Sequence, residues 1–285
     1  MSKLSIGHYI KKLKLVERNK KWLSSKGIST KDKLSYYGRI ALSCVACKKK
    51  IQYLGSTFYY DNPATPLTLQ NYPYEITVGV LANMHKNPKT ILDIGGNLGQ
   101  FSLTINHILK GSAIIDIFEP NSYVYELLKK NTVNKNNIHI YNYGLGDSNA
   151  KKVLNFDPNR TSIGSVLEKN AGEGASEKQE IIITSSPQKI TKRKRYDLIK
   201  IDVEGYEMHV VKGLAGITCK YLFIEFTGQT KEKDYMHSEI MTLLKEQWGE
   251  YDIYYCGGFN SKDSMFDMLI RFRQTVINDK PEQLI

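Results

Sequence analysis

Apolar residues after Pro88 fall into short runs that alternate with segments of helical spacing. Thr90–Gly95, Ala113–Phe118 and Tyr196–Val203 are nearly continuous apolar runs, which predicts strands buried on both faces. Leu98–Leu109 repeats apolar residues at helical intervals and predicts a helix with one apolar face. Strands and helices in alternation predict an α/β fold, with a parallel sheet covered by helices on both sides.

Further segments of both kinds continue toward the C-terminal end. The remaining predicted strands are Ile138–Tyr143, Val153–Phe156, Ile181–Thr184, Lys220–Phe226, Tyr251–Tyr255 and Phe266–Phe272, and the remaining helices are Ser122–Asn134, Glu207–Leu214 and Met236–Gln247. The alternation stops between residues 147 and 194, where residues 157–164 are predicted to form a loop and residues 168–179 are polar and of low complexity. Such an interruption is typically a lid, a specificity insertion or a loop without regular structure.

Residues 1–88 have a different pattern and are predicted to be an accessory region that covers one side of the domain formed by residues 89–285. Helical spacing predicts helices over Ser5–Ser25 and Asp32–Lys50, the first of them basic and amphipathic. Two β-like runs and one more helix follow, at Ile51–Tyr53, Ser56–Tyr60 and Glu75–His85.

The net charge of +11 is concentrated in the first third of the chain. Residues 1–90 hold 16 Lys and Arg against 4 Asp and Glu, whereas residues 91–285 hold 24 against 25. A basic segment of this kind is typical of contact with a nucleic acid, a membrane surface or a phosphorylated substrate, and also of a solvated lysine-rich surface. The charge therefore makes peripheral contact with an anionic membrane one expectation for residues 1–88.

Composition excludes several classes of protein. With 285 residues, 41% of them hydrophobic and 24% charged, the chain is globular rather than collagen-like, wholly disordered or a disulfide scaffold. No apolar run is long enough for a transmembrane helix, and the N-terminal apolar stretches are too short for a signal-peptide core. Four cysteines without a secretory signal favour a reducing compartment. The cytoplasm is therefore the expected location, with or without peripheral membrane contact.

The strongest chemical signal is the glycine-rich sequence Asp93–Gly99, between a predicted strand and a predicted helix. Glycine lets the backbone turn sharply and lets a ligand approach the main chain, and the helix offers free N–H groups. The spacing does not fit a dinucleotide fingerprint, because position 94 is Ile. It is similar to the nucleotide loop of S-adenosylmethionine-dependent methyltransferases, with Asn97 in place of the usual middle glycine. Glu119, after the next strand, is placed to accept both ribose hydroxyls.

The residues expected to bind this methyl donor follow from that pattern. They are Asp93, Gly95, Gly96, Asn97, Gly99 and Glu119, with Gly144 and Leu145 bordering the adenine.

Three segments together resemble the FkbM family of methyltransferases. They are Asp93–Ser102, Phe118–Pro120 and Lys200–Glu207, the last of which reads KIDVEGYE, with Ile224–Phe226 behind it. The resemblance covers about half of the chain. It implies a seven-stranded Rossmann-like sheet whose last strand is antiparallel, S-adenosylmethionine as the methyl donor, and methylation of a hydroxyl group on a sugar or another small-molecule scaffold.

Transfer of a methyl group to oxygen requires alignment of the reactants and removal of the hydroxyl proton. Asp202 and Glu204 occupy alternate positions at the carboxyl end of a predicted strand, so we expect them to face the same way. Such a pair can supply a base or hold a divalent cation, although Glu204 can instead cap the following helix. Glu225 ends the neighbouring strand and is a third catalytic candidate. His209 is a fourth, with packing at the surface as its alternative role.

The leading hypothesis is an S-adenosylmethionine-dependent O-methyltransferase that acts on a hydroxyl of a glycan or another small-molecule acceptor. One alternative is a ribose 2′-O-methyltransferase of RNA whose basic region binds phosphates. Nucleic acid is therefore a candidate partner, but it is less favoured than a glycan or small-molecule acceptor. The other alternative is a non-catalytic protein that keeps the fold and docks on a membrane or on RNA. The glycine-rich loop, Glu119 and the KIDVEG sequence together favour an enzyme.

Overall fold

The structure is a computed structural model that describes residues 50–60, 72–157, 160–167, 176–227, 239–257 and 265–273. The predictions made for residues 1–49, including the basic amphipathic helix, lie outside the described residues. None of the helices in these ranges is long and apolar enough to cross a membrane.

Helices and strands are numbered from residue 50. The strands are β1 (Lys50–Tyr53), β2 (Ser56–Tyr59), β3 (Thr90–Ile94), β4 (Ile114–Phe118), β5 (Ile138–Tyr141), β6 (Gly144–Leu145), β7 (Ala150–Asp157), β8 (Arg160–Ser165), β9 (Glu177–Thr184), β10 (Arg195–Ile201), β11 (Thr218–Thr227), β12 (Tyr251–Gly257) and β13 (Met265–Phe272). The helices are α1 (Tyr72–Ala82), α2 (Gln100–Ile108), α3 (Ser122–Asn131), α4 (Pro187–Thr191), α5 (Glu207–Gly213) and α6 (Glu239–Trp248).

Seven strands form one mixed sheet in the order β12-β13-β11-β10-β3-β4-β5. The strands from β11 to β5 are parallel, and β13 is antiparallel to both of its neighbours, β11 and β12. The predicted α/β fold with an antiparallel last strand is therefore confirmed. The chain runs outward from β3 to β5 and returns to β10 on the other side of β3. At such a switch point the carboxyl ends of the strands leave a crevice in which ligands bind.

The central strands are buried on both faces, as their continuous apolar sequences predict. Ile91 and Leu92 are adjacent, so their side chains point to opposite faces, and both are fully buried. Val210 of α5 packs in the core on one face of the sheet, and Ile105 of α2 packs in the core on the other. Helices on both sides thus hold the strand ends, and the crevice between them, in place.

The described part of the predicted accessory region packs on the same sheet. Tyr53 and Phe58 of the β1–β2 hairpin and Val80 of α1 share the core that contains Ile105. The hairpin is also tied to α3, because the Tyr59 N–H donates to Asn131 Oδ1 at 2.6 Å and Asn131 Nδ2 donates to the Tyr59 carbonyl at 2.9 Å. This hairpin and α1 therefore cover the α2 and α3 side of the sheet.

The interruption in the alternation forms a second sheet of four strands, in the order β6-β9-β7-β8. The predicted loop over residues 157–164 is wrong, because Arg160–Ser165 pairs antiparallel with β7. This segment is polar and lacks alternation, so its strand conformation comes from pairing with a neighbour and not from its own pattern. The small sheet stands beside the crevice and forms one of its walls.

Candidate functional site

The loop between β3 and α2 turns because every second residue has a left-handed backbone. Gly95, Asn97 and Gly99 have φ angles of 78°, 48° and 87°. Glycine adopts this conformation without a steric penalty, and asparagine tolerates it better than most residues, which explains the spacing in the sequence. Gly95 has a second constraint, since a Cβ there would lie 1.8 Å from the carbonyl oxygen of Asp202. The loop thus packs directly against the end of β10.

Three residues that were predicted to bind the donor lie behind the loop and do not line the cleft. A Cβ on Gly96 would lie 2.1 Å from Ile117, and a Cβ on Gly99 would lie 2.8 Å from Leu128. Asp93 is fully buried and accepts a hydrogen bond of 2.6 Å from the Ser102 hydroxyl. These residues shape the loop from the side of the core.

Glu119 lies at the end of β4 and faces the loop. One carboxylate oxygen accepts a hydrogen bond from the Asn97 N–H at 2.9 Å, and the other accepts one from the Asn121 N–H at 2.8 Å. Burial raises the pKa of Glu119 to about 7, although both backbone donors oppose that rise. Each carboxylate oxygen has a second lone pair, so the group can still accept two hydroxyl donors from a ligand.

A cleft of about 830 Å³, part of it open to solvent, runs from Glu119 toward the end of β10. Gly144 and Leu145, the residues predicted to border an adenine, line it together with Ile181 and Ile183 of the small sheet. Its mixture of apolar wall and few polar groups is typical of a cofactor site. The small sheet therefore supplies an apolar surface against which a flat base can pack.

Three carboxylates meet at the other end of the cleft. Asp202, Glu204 and Glu225 each offer an oxygen, and these oxygens all lie within 4.8 Å of one another. Asp202 and Glu204 lie close together, but not because they alternate along one strand as predicted. The strand ends at Ile201, and Glu204 has a left-handed φ of 53°, so the pair does not alternate along a continuing strand. The turn brings Glu204 to the cleft, where both side chains are among the lining residues.

Lys200 is the cation of this cluster, and its role was not predicted. Its ammonium lies 3.0 Å from Asp202 Oδ2 and 3.4 Å from Asp93 Oδ1, and it donates to the Gly95 carbonyl at 3.4 Å. Burial lowers the pKa of Lys200, but Asp202 and Asp93 outweigh that effect and raise it above its usual range. A permanently charged Lys200 therefore joins β3, β10 and the loop. The sequence signal that could have indicated this role is the position of Lys200 two residues before Asp202 in the KIDVEG sequence.

Asp267 is a fourth carboxylate of the cluster and was also missed. It lies on β13 directly opposite Glu225 and is 8% exposed. Burial raises the pKa of Asp267 to about 6, with Asp202 adding to the rise. Burial likewise raises the pKa of Glu225 well above its usual range, and Asp202 and Asp267 raise it further. An acidic residue within the apolar run Met265–Ile270 was the only sequence signal.

His209 lies away from these carboxylates. Its ring stacks on Tyr206 with a centroid separation of 4.3 Å, and its Nδ1 lies 2.8 Å from Asp147 Oδ2. It lines a separate hollow beside the small sheet, together with Lys152 and Lys178. The structure therefore brings Asp202, Glu204 and Glu225 together but places His209 elsewhere.

The sheet order, the glycine-rich loop after β3 and the acidic residue after β4 define a Rossmann-like methyltransferase. The family model for the methyltransferase FkbM domain matches residues 93–250, and the chain belongs to this family. It is accordingly an S-adenosylmethionine-dependent methyltransferase.

Individual known proteins resemble the chain at low sequence identity. It is 27% identical over 192 residues to Methyltransferase 1 of Beauveria bassiana (strain ARSEF 2860), an alignment that covers 60% of this chain and 77% of that protein. Among solved structures, fibrillarin of Aeropyrum pernix with bound S-adenosyl-L-methionine is 14% identical, covering 78% of this chain and 82% of the other, with a TM-score of 0.44. The N-terminal domain of EvdMO1 with SAH bound is 8% identical, covering 79% and 90%, with a TM-score of 0.43.

The residues of the cleft fit S-adenosylmethionine. Glu119 would hold the ribose hydroxyls, and Leu145 would pack against the adenine. The main chain at Gly95, where a side chain cannot be accommodated, would face the rest of the donor. The carboxylates at the far end suit its cationic sulfonium and ammonium groups.

Proposed function

We propose that this methyltransferase acts on oxygen, and that its acceptor is a hydroxyl group of a glycan or another small molecule. The observation that carries the proposal is the carboxylate cluster at the end of the donor cleft. A hydroxyl is a poor nucleophile until its proton is removed, and a carboxylate within hydrogen-bond reach is a suitable base.

Bound S-adenosylmethionine supplies an electrophilic methyl group on a sulfonium. Asp202 and Glu204 both line the cleft, so an acceptor hydroxyl that enters there can donate a hydrogen bond to one of them. As the hydroxyl oxygen bonds to the methyl carbon and the carbon–sulfur bond breaks, the hydroxyl proton passes to that carboxylate. Lys200 holds Asp202 in place from the side of the core, and we propose Asp202 as the nearer group.

A labelled methyl donor tests this proposal. Purified full-length protein is incubated with the labelled donor in two separate reactions, one with a pool of glycans and one with a pool of RNA. We expect label in the glycan pool. Asp202→Asn should lower turnover by about 10²–10⁴-fold, because it removes a general base while keeping the size of the side chain. Glu180→Gln is the control, since Glu180 is exposed and pairs with the exposed Lys151 on the small sheet.

Two results would contradict the proposal. Label in the RNA pool alone would make the acceptor a nucleic acid. Wild-type turnover by Asp202→Asn on the true acceptor would show that this carboxylate is structural, and the base would then be Glu225 or Glu204. Binding of the demethylated donor by each variant, measured by calorimetry, separates a loss of chemistry from a loss of the donor site.

A further inference from the structure

Among the residues that the structure describes, the carboxylates of this cluster outnumber the cations that pair with them. Lys200 already pairs with Asp93 and Asp202. Glu204 and Glu225 add two more carboxylates, with ligand oxygens close to Asp202. Buried carboxylates without a compensating cation are costly, and a protein usually retains them where a ligand supplies the missing charge.

Asp267 provides an independent sign of a missing ligand. It is more than nine-tenths buried, and β13 places it opposite Glu225, so both side chains point from the same face of the sheet. One of its oxygens, Oδ1, is buried and accepts no hydrogen bond from any residue that the structure describes. Asp267 shares a side-chain hydrogen bond with Glu225, and its unsatisfied Oδ1, close to Glu225 and Asp202, is the kind of atom that a cation would satisfy directly or through an outer-shell contact.

The spacing of the oxygens agrees with one bound ion. Ligand oxygens around a cation with bonds of about 2.3–2.6 Å are at most about 5 Å apart. The oxygens of Asp202, Glu204 and Glu225 lie within 4.8 Å of one another, so one ion between them can reach all three with small side-chain adjustments. Asp202 and Glu204 also line the cleft, which leaves a side open for water or an acceptor hydroxyl.

We propose that Asp202, Glu204 and Glu225 bind one divalent cation, with Asp267 as a supporting carboxylate. All the donors are carboxylate oxygens, so the ion is a hard one such as Mg²⁺, Mn²⁺ or Ca²⁺. An acceptor hydroxyl bound to it would lose its proton more readily, with Asp202 then acting as a ligand of the ion and not as the base. The easier loss of the hydroxyl proton rests on the proposed function. Binding of the ion does not, because we expect the ion to bind in the absence of both the methyl donor and the acceptor molecule.

Manganese titration of the full-length protein tests the site. Metal is first removed with EDTA, and Mn²⁺ is then added while its free electron-spin resonance signal is recorded. We expect one Mn²⁺ per chain, displaced by Mg²⁺ or Ca²⁺, and affinity reduced at least about tenfold in Asp202→Asn and in Glu225→Gln. The exposed-residue variant Glu180→Gln should bind Mn²⁺ like the wild type.

Thermal melting gives a second measurement that does not depend on activity. Mn²⁺ should raise the melting temperature of the wild type and of Glu180→Gln but not of Glu225→Gln. In EDTA, Glu225→Gln should melt at or above the wild type, because the amide removes the repulsion that an ionised Glu225 has with Asp202 and Asp267. Wild-type protein that binds the demethylated donor but no Mn²⁺, or Mn²⁺ binding that survives both cluster substitutions, would overturn the inference and leave the proposed function standing.

Discussion

The ionisation of Glu119 should control donor binding near neutral pH. Its pKa of about 7 means that the group loses its negative charge when the pH falls through neutrality. Ribose hydroxyls donate to a carboxylate more strongly than to a neutral carboxyl. Affinity should therefore be highest above pH 7 and should fall as the pH decreases, with proton release accompanying binding below the pKa.

The magnitude follows from the fraction ionised. One pH unit below the pKa about one carboxyl in ten is charged, so the dissociation constant should be about tenfold larger at about pH 6 than at about pH 8.5. At lower pH the loss levels off, since charge-assisted hydrogen bonds contribute about 1.5–3 kcal/mol, or roughly 10- to 150-fold in affinity.

Calorimetry with 5′-methylthioadenosine isolates this effect, because that ligand has the ribose hydroxyls but not the ionisable amino acid of the donor. Glu119→Gln should bind more weakly at high pH and lose the pH dependence. Its amide group would face a backbone N–H of Asn97 or Asn121 and leave it unsatisfied, at a cost of about 1–3 kcal/mol. The exposed Glu126→Gln is the control. A dissociation constant that is unchanged between about pH 6 and 8.5 in the wild type would refute the placement of the ribose on Glu119.

Three further predictions concern the loop, the buried lysine and the N-terminal region. Gly95→Ala should lower the free energy of unfolding by at least about 2 kcal/mol in urea titrations, because it adds a clash with the backbone of Asp202 to the left-handed strain. Gly55→Ala, at a φ of 76° with open space around it, should lose only about 1 kcal/mol, and equal losses would contradict the packing of the loop. Lys200→Met should destabilise the protein by about 3–5 kcal/mol, since it leaves the buried Asp93 and the partly buried Asp202 without their cation, and an unchanged melting temperature would count against that role. Residues 1–50, with 14 Lys and Arg against 2 Asp and Glu, should hold the full-length protein on anionic vesicles at low salt and release it at high salt, whereas equal sedimentation with neutral vesicles would exclude electrostatic binding.

The main sheet could be predicted because its signals are local. A nearly continuous apolar run such as Ile91–Ile94, interrupted by Asp93, identifies a strand buried on both faces. The spacing of Gly95, Asn97 and Gly99 reflects a backbone requirement that only a few residue types meet. The donor end of the site depends on short-range geometry of this kind, since the loop after β3 and Glu119 after β4 belong to neighbouring strands.

The remaining features depend on contacts between distant segments. β8 is a polar segment whose strand conformation requires β7 beside it. Asp267 reaches Glu225 only because β13 enters the sheet antiparallel, and no spacing along the chain indicates that register. Asp93, which the motif predicts to bind the donor, lies within the core and contacts Lys200 and Ser102, and the motif gave no sign of these two contacts.

The insertion of β13 between β11 and β12 has a consequence for biosynthesis. A ribosome delivers β11 and β12 before β13, yet neither of the earlier strands pairs with the other in the finished sheet. The sheet therefore closes only after residues 265–272 have emerged, although the loop and Glu119 are made much earlier. Because Asp267 arrives with this strand, a nascent chain can display the donor loop while its acceptor end is still incomplete. We expect methylation to begin only after β13 has been synthesised and has taken its place in the sheet.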